Sequence, residues 1–117
     1  MYKSFRDMPV WIKAHDLAVD VFNMTVDLPR AEDYGLTSQI RRSANSSPAN
    51  IAEGFGRKTS KDKSHFYIVA RGSAYETQNH LLYGNRVKYF SDDDTKRFFD
   101  EYANLIFELN KIMKSFD

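Results

Sequence analysis

The side chains of this chain that could do chemistry are mostly ionic and gather in its middle third: Arg41, Arg42, Glu53, Arg57, Lys58, Arg71 and Glu76. Two kinds of chemistry suit such a set. Glu53 precedes Arg57 by four residues, the orientation in which a helical ion pair forms, contributing about 0.3–0.5 kcal/mol when exposed. On that reading the arginines tie the second and third helices together, or one subunit to another. On the other reading Arg41, Arg42, Arg57, Lys58 and Arg71 contact phosphates. Tyr67 and Tyr75, flanking Arg71, then serve as stacking platforms for unpaired bases.

Catalysis asks for a different arrangement. A carboxylate di-metal site in a helical bundle takes Glu-x-x-His from two helices and a Glu from each of the others. Here Glu76 and His80 are one residue too far apart, Glu53 is the only acid of its helix, and His15 and His65 stand alone. There is no Cys, and no Ser sits in a nucleophile-elbow setting. Helical ribonucleases that pair an Arg and a His need them a few residues apart, whereas Arg57 to His65 and Arg71 to His80 are wider. Gly54-Phe55-Gly56 lacks the Gly-Lys-Ser/Thr that completes a phosphate-cradling loop. No enzyme, metal, cofactor or small-molecule substrate is expected.

The elements that must position the ionic groups follow from composition and period. At 117 residues, 42% hydrophobic and 15% aromatic, the chain is long and apolar enough for one domain over 1–117. A charged fraction of 28% with net charge +1 excludes disorder by charge. The absence of Cys excludes a disulfide framework and fits a reducing compartment. The start of the chain, MYKSFRDMPVW, is not a signal peptide, and no run approaches a membrane span. A cytoplasmic protein without membrane contact is expected. Charge is unevenly distributed: residues 1–35 carry four basic and six acidic groups, residues 36–88 nine and three, residues 89–117 four and seven. The basic middle can attract phosphate backbones, or acidic outer helices can neutralise it within one bundle or assembly.

Four helices are predicted, at about 9–28, 36–55, 60–87 and 92–115. The first starts at Pro9 with Asp7 near its cap, buries Val10, Ala14, Leu17, Val21, Met24 and Leu28, and is stopped by Pro29. The second buries Leu36, Ile40, Ala44, Ser47, Ile51 and Phe55, with a kink or restart at Pro48. Asn45, Ser46 and Ser47 are placed to satisfy the carbonyl that Pro48 frees. Ser60 is expected to cap the third helix, whose slim inner face is Phe66, Ala70, Ser73, Thr77, Leu81 and Gly84, with a ragged end from Tyr83 to Tyr89. A second apolar row on that helix, Ile68, Tyr75 and Leu82 at heptad steps, implies burial on both sides, with a partner subunit as the cover. The fourth, capped by Ser91 with Asp94 at the capping-box position, buries Phe98, Tyr102, Leu105, Leu109, Ile112 and Phe116. Short loops make this an all-α, up-down-up-down four-helix bundle.

Several pieces occur in a set order: Trp11 and Ala14, Gln39-Ile40-Arg41-Arg42, Pro48, Asn50-Ile51-Ala52-Glu53-Gly54 with Arg57, and Ala70-Arg71-Gly72-Ser73 with Tyr75-Glu76. Over nearly its whole length the chain resembles the small bacterial bundle proteins encoded in intervening sequences of 23S ribosomal RNA genes, sometimes labelled ribosomal proteins. That family is similar to the accessory variability protein of diversity-generating retroelements, a basic ring of five that binds nucleic acid and a reverse transcriptase. The resemblance implies a homo-oligomer, with a pentamer as the expected form, an RNA or nucleoprotein partner, and no catalysis. It marks Arg41, Arg42, Arg57 and Arg71 as basic candidates and Asn50, Glu53, Gly54, Gly72 and Glu76 as architectural. Ser43, Asn45 and Ser47 stand where Ala, Val and Ile are usual, and Ala74 and Thr77 where Leu is common, so the bundle centre should be more polar or more tightly drawn together. The leading expectation is an oligomeric bundle bound to ribosomal RNA through its basic central helices. The rival is an interaction scaffold whose arginines serve its own assembly.

Overall fold

Each predicted stretch is a helix, and its ends are set by local chemistry. The computed structural model describes residues 1–116. Helix α1 spans Pro9–Met24, with Pro9 in the first turn, where its missing N–H would have had no partner. Asp7 does not cap it: that residue lies in a 3-10 turn, Phe5–Asp7, capped by the Ser4 side chain. Nor does α1 reach residue 28. It ends at Met24, where the Thr25 hydroxyl is shared between the carbonyls of Val21 and Phe22 at 2.9 and 3.0 Å.

Helix α2, Leu36–Gly56, runs through Pro48 without restarting. The nearby polar side chains do not turn back on the freed carbonyl. Asn45 is exposed, Ser46 accepts from Ser73, and Ser47 donates across to the Ala70 carbonyl at 3.0 Å. Helix α3 covers Ser60–Arg86 and is capped by Thr59 rather than Ser60, the Thr59 hydroxyl accepting from the Asp62 N–H at 3.1 Å. Its far end is closed rather than ragged. The Lys88 N–H bonds the Asn85 carbonyl and the Tyr89 N–H the Gly84 carbonyl, with Lys88 at φ 73 in the left-handed turn that such an ending requires. Helix α4, Asp92–Lys114, follows Ser91, whose side chain accepts from Asp94 N–H, and places three Asp at its positive end.

The four helices form an up-down-up-down bundle measuring 43 × 22 × 20 Å, and α3, about 40 Å long by its rise per residue, runs the full length. Neighbours in sequence pack together, α1 closes against α4, and α1 and α3 lie diagonally opposite. Large apolar side chains, among them Leu17, Val21, Ile40, Ile51, Leu81, Tyr102, Leu105 and Leu109, fill the core. Tyr67, not Phe66, is the buried aromatic of α3.

The α2–α3 seam differs from the rest of the core. Its buried residues are small: Ser43, Ser47, Ala70, Ser73, Ala74 and Thr77. Short side chains let two backbones approach, and hydroxyls inside such a seam must find partners. They do. Thr77 donates to the Ser73 carbonyl at 2.9 Å, which leaves Ser43 to donate to Thr77 over 2.8 Å, since each hydroxyl has one proton. Of the positions expected to make the centre polar, Ser43, Ser47 and Thr77 are fully buried in the seam, whereas Asn45 is exposed. Beside the seam, Tyr102 is fully buried, and that burial pushes its hydroxyl pKa up.

Candidate functional site

The arginines expected to contact phosphate are each engaged within the chain. Arg41 is half-buried: its Nε donates to Thr25 Oγ1 at 2.8 Å, Nη2 to the Phe22 carbonyl at 3.4 Å, and its guanidinium lies 4.2 Å from the Phe22 ring centre. It closes the negative end of α1. Arg42 pairs with Glu76 across the α2–α3 groove, and His80 shares the same carboxylate oxygen at 3.2 Å. Arg57 pairs with Glu53 at 3.1 Å and covers the Phe66 ring at 4.5 Å. Arg71 donates to Asn110 Oδ1 on α4 at 2.8 Å. These pairs are roughly half exposed, so each contributes at most about 1 kcal/mol.

Position matters as much as pairing. Arg41 and Arg42 both line the α1–α2 groove, Arg42 reaching from its edge to Glu76 on α3, and Arg71 lies in the α3–α4 groove. Arg57, the residue that follows α2, lies fifteen residues beyond Arg42, about 22 Å away along the axis. The four do not converge on one face. Lys58 is exposed in the α2–α3 turn with no ion pair among the described residues. Tyr67 is not available for stacking: it is buried, packs on Gly54 and stacks on Phe116 with centroids 6.2 Å apart. Tyr75 is 55% exposed.

A second surface is apolar. Ile68, Tyr75 and Leu82 of α3 are all about half exposed, as their heptad spacing implied for an isolated protomer. Sequence periodicity did not single out a comparable face on α1, where Ile12, Val19 and Phe22 are 43, 47 and 52% exposed. Glycines separate the inside of α3 from its outside. A Cβ on Gly54 would lie 2.6 Å from the Tyr67 ring, and one on Gly84 would strike Phe90, whereas a Cβ on Gly72 would meet nothing within 4 Å. Asn50, the remaining architectural candidate, donates to the Ser46 carbonyl and hydroxyl at 2.8 and 3.0 Å, and Ser46 links on to Ser73.

The ends of the bundle are electrically unlike. Up-down topology brings Arg57 and Lys58 of the α2–α3 turn and Lys61 of the first turn of α3 to the same end as Lys111 and Lys114 of α4. The opposite end carries Asp27, Asp33 and the Asp92–Asp94 run. Among the described residues no group of three His, Asp or Glu side chains could hold a metal ion, and no helix is long and apolar enough to cross a membrane.

Comparison with known proteins decides the family. The sequence model of the 23S rRNA-intervening sequence proteins matches residues 6–111. The chain belongs to that family. A crystal structure of a protein of unknown function from the S23 ribosomal protein family of Bacteroides thetaiotaomicron superposes with a TM-score of 0.81 at 23% identity. The match covers 90% of this chain and 98% of that one, a likeness of fold. No curated protein matches.

Within this 23S rRNA-intervening sequence protein, some positioning side chains carried no sequence signal that was used. Lys63 reaches back from α3 to donate to the Gly54 and Phe55 carbonyls at 3.3 and 2.8 Å, neutralising the end of α2. Its signal was a lysine one turn into the helix that follows a tight turn. Thr25, which holds Arg41, looked like a mid-helix residue and gave none.

Proposed function

We propose that this 23S rRNA-intervening sequence protein is a non-enzymatic, self-assembling bundle whose arginines serve its own architecture. The observation behind this reading is the wet apolar row of α3, Ile68, Tyr75 and Leu82, on a domain too small to cover it. Light scattering on the purified chain should give a mass of several protomers, with five as the expectation set by the resemblance. A monomer at all concentrations would sink the reading.

The basic end supports a second reading, contact with RNA as the family description invites. Arg57, Lys58, Lys61, Lys111 and Lys114 share that end and are exposed. A fragment of 23S ribosomal RNA should then bind with an affinity that falls steeply with salt. Lys58→Ala with Lys61→Ala should lower the log–log salt slope by about one unit per lost contact, leaving the oligomer intact. An unchanged slope would place RNA elsewhere or nowhere.

A further inference from the structure

At the basic end of the bundle the helices leave a cavity of about 360 Å³ between them. Its wall is apolar: Met8 and Val10 at the start of α1, Phe55 at the end of α2, Tyr67 of α3, Ile112 of α4 and Phe116 just beyond it. Small-molecule sites have volumes of about 300–1,000 Å³ and the same character, an apolar lining with a few polar groups that fix orientation. Neither self-assembly nor RNA contact calls on this cavity, so its test is independent of theirs.

Three kinds of hydrogen-bond donor belong to the cavity. Lys63 lines it, and the ammonium uses two of its three protons on the Gly54 and Phe55 carbonyls, which leaves one. Tyr67 is 2% exposed, and its hydroxyl donates to nothing among the described residues. Burial pushes the pKa of that hydroxyl up, so it keeps its proton. The third donor is the start of α1. No side chain caps this helix, its first turn has no acid, and the Val10 N–H bonds nothing among the described residues. The other three helices each have an acceptor at that position, from Glu32, Thr59 and Ser91. The positive end of α1 therefore lines the cavity uncompensated, through Pro9 and Val10. Glu108, the one acid on the wall among the described residues, has Lys111 at 3.8 Å.

We infer that the cavity binds a small apolar carboxylate. Its hydrocarbon lies against Val10, Phe55, Ile112 and Phe116, and its carboxylate accepts from the Tyr67 hydroxyl and the Lys63 ammonium. The head group follows from the donors. A carboxylate is acceptor-only and suits all of them, whereas an ammonium would meet donors with donors. A bare hydrocarbon would leave the Tyr67 hydroxyl desolvated and unpaired. Lys58, Lys61, Lys111 and Lys114 add a positive field at this end that favours the anion.

The test is calorimetric titration of the full chain with decanoate, below its micelle concentration, and with naphthoate, which separate a chain from a ring. At least one should bind with a Kd of about 0.1 mM or tighter. The amine of the same skeleton should bind at least about tenfold more weakly. Tyr67→Phe keeps the ring that packs on Gly54 and Phe116 and removes only the hydroxyl. It should weaken the carboxylate by about tenfold and leave the amine unchanged. Ile112→Trp, at a half-buried position, should fill the cavity and abolish binding with helicity by circular dichroism retained. The inference is overturned if neither carboxylate binds at about 1 mM, or if the amine binds as tightly. It is also overturned if either folded variant takes the carboxylate as the wild type does.

Discussion

The two sides of α3 invert the usual relation between polarity and burial. The side turned to α2 carries Ser73 and Thr77 and is sealed, while the side turned away carries Ile68, Tyr75 and Leu82 and is wet. The polar side is stable because its hydroxyls have partners: Ser73 reaches Ser46, and Thr77 lies between Ser43 and the Ser73 carbonyl. The apolar side has none inside the protomer. Small polar side chains mark where two helices of one chain come close. Large apolar ones, on the same helix, face away from the protomer's own core.

The sharpest way to break this contrast is to put bulk into the tight side. Gly54→Leu would drive a side chain into the Tyr67 ring, which a Cβ already approaches to 2.6 Å. Tyr67 also stacks on Phe116, with ring centroids 6.2 Å apart. A loss of about 3 kcal/mol in unfolding free energy is expected by denaturant titration. A loss near zero would show that the α2–α3 contact is looser than its geometry suggests.

A smaller effect tests whether the hydroxyls are coupled. Thr77→Val keeps shape but removes the acceptor of Ser43 and the donor to Ser73, and should cost about 1 kcal/mol. Ser43 can fall back on the Ile40 carbonyl at 3.2 Å, which limits the loss. Thr77→Val combined with Ser43→Ala should cost less than the sum of the two, with a coupling of about 0.5–1 kcal/mol. Strict additivity would mean that the seam is a row of independent contacts.

How much of this was visible beforehand depended on the range of the interaction. The α4 stripe from Phe98 to Leu109 and the Ser91 cap were legible because period and capping act within a turn or two. The heptad row on α3 was legible for the same reason. The α1 face was not, because Phe22 lies beside the core stripe in sequence, and only Arg41, arriving from α2, holds it outward. The arginines were legible as ionic but not as dispersed: their separation is a product of packing. Lys88 was hidden because a positive φ is normally announced by glycine or asparagine, and here a lysine accepts it.

The smallest predicted effect is also the one of opposite sign. Gly72→Ala should stabilise the isolated protomer by about 0.5–1 kcal/mol, because alanine is the better helix former and nothing lies near the added methyl. The measurement belongs at a concentration where light scattering gives the monomer mass, so that the denaturant midpoint reports the protomer alone. That midpoint should rise with no change in slope. If copies meet through the α3 face, the same methyl should weaken assembly in the otherwise native chain, because Gly72 lies in sequence between the exposed Ile68 and Tyr75. A residue inside the helix that lowers protomer stability yet favours association is one whose partner lies outside the chain. If Gly72→Ala leaves assembly unchanged, Gly72 is an open surface position and the α3 contact must be centred elsewhere along Tyr75 and Leu82.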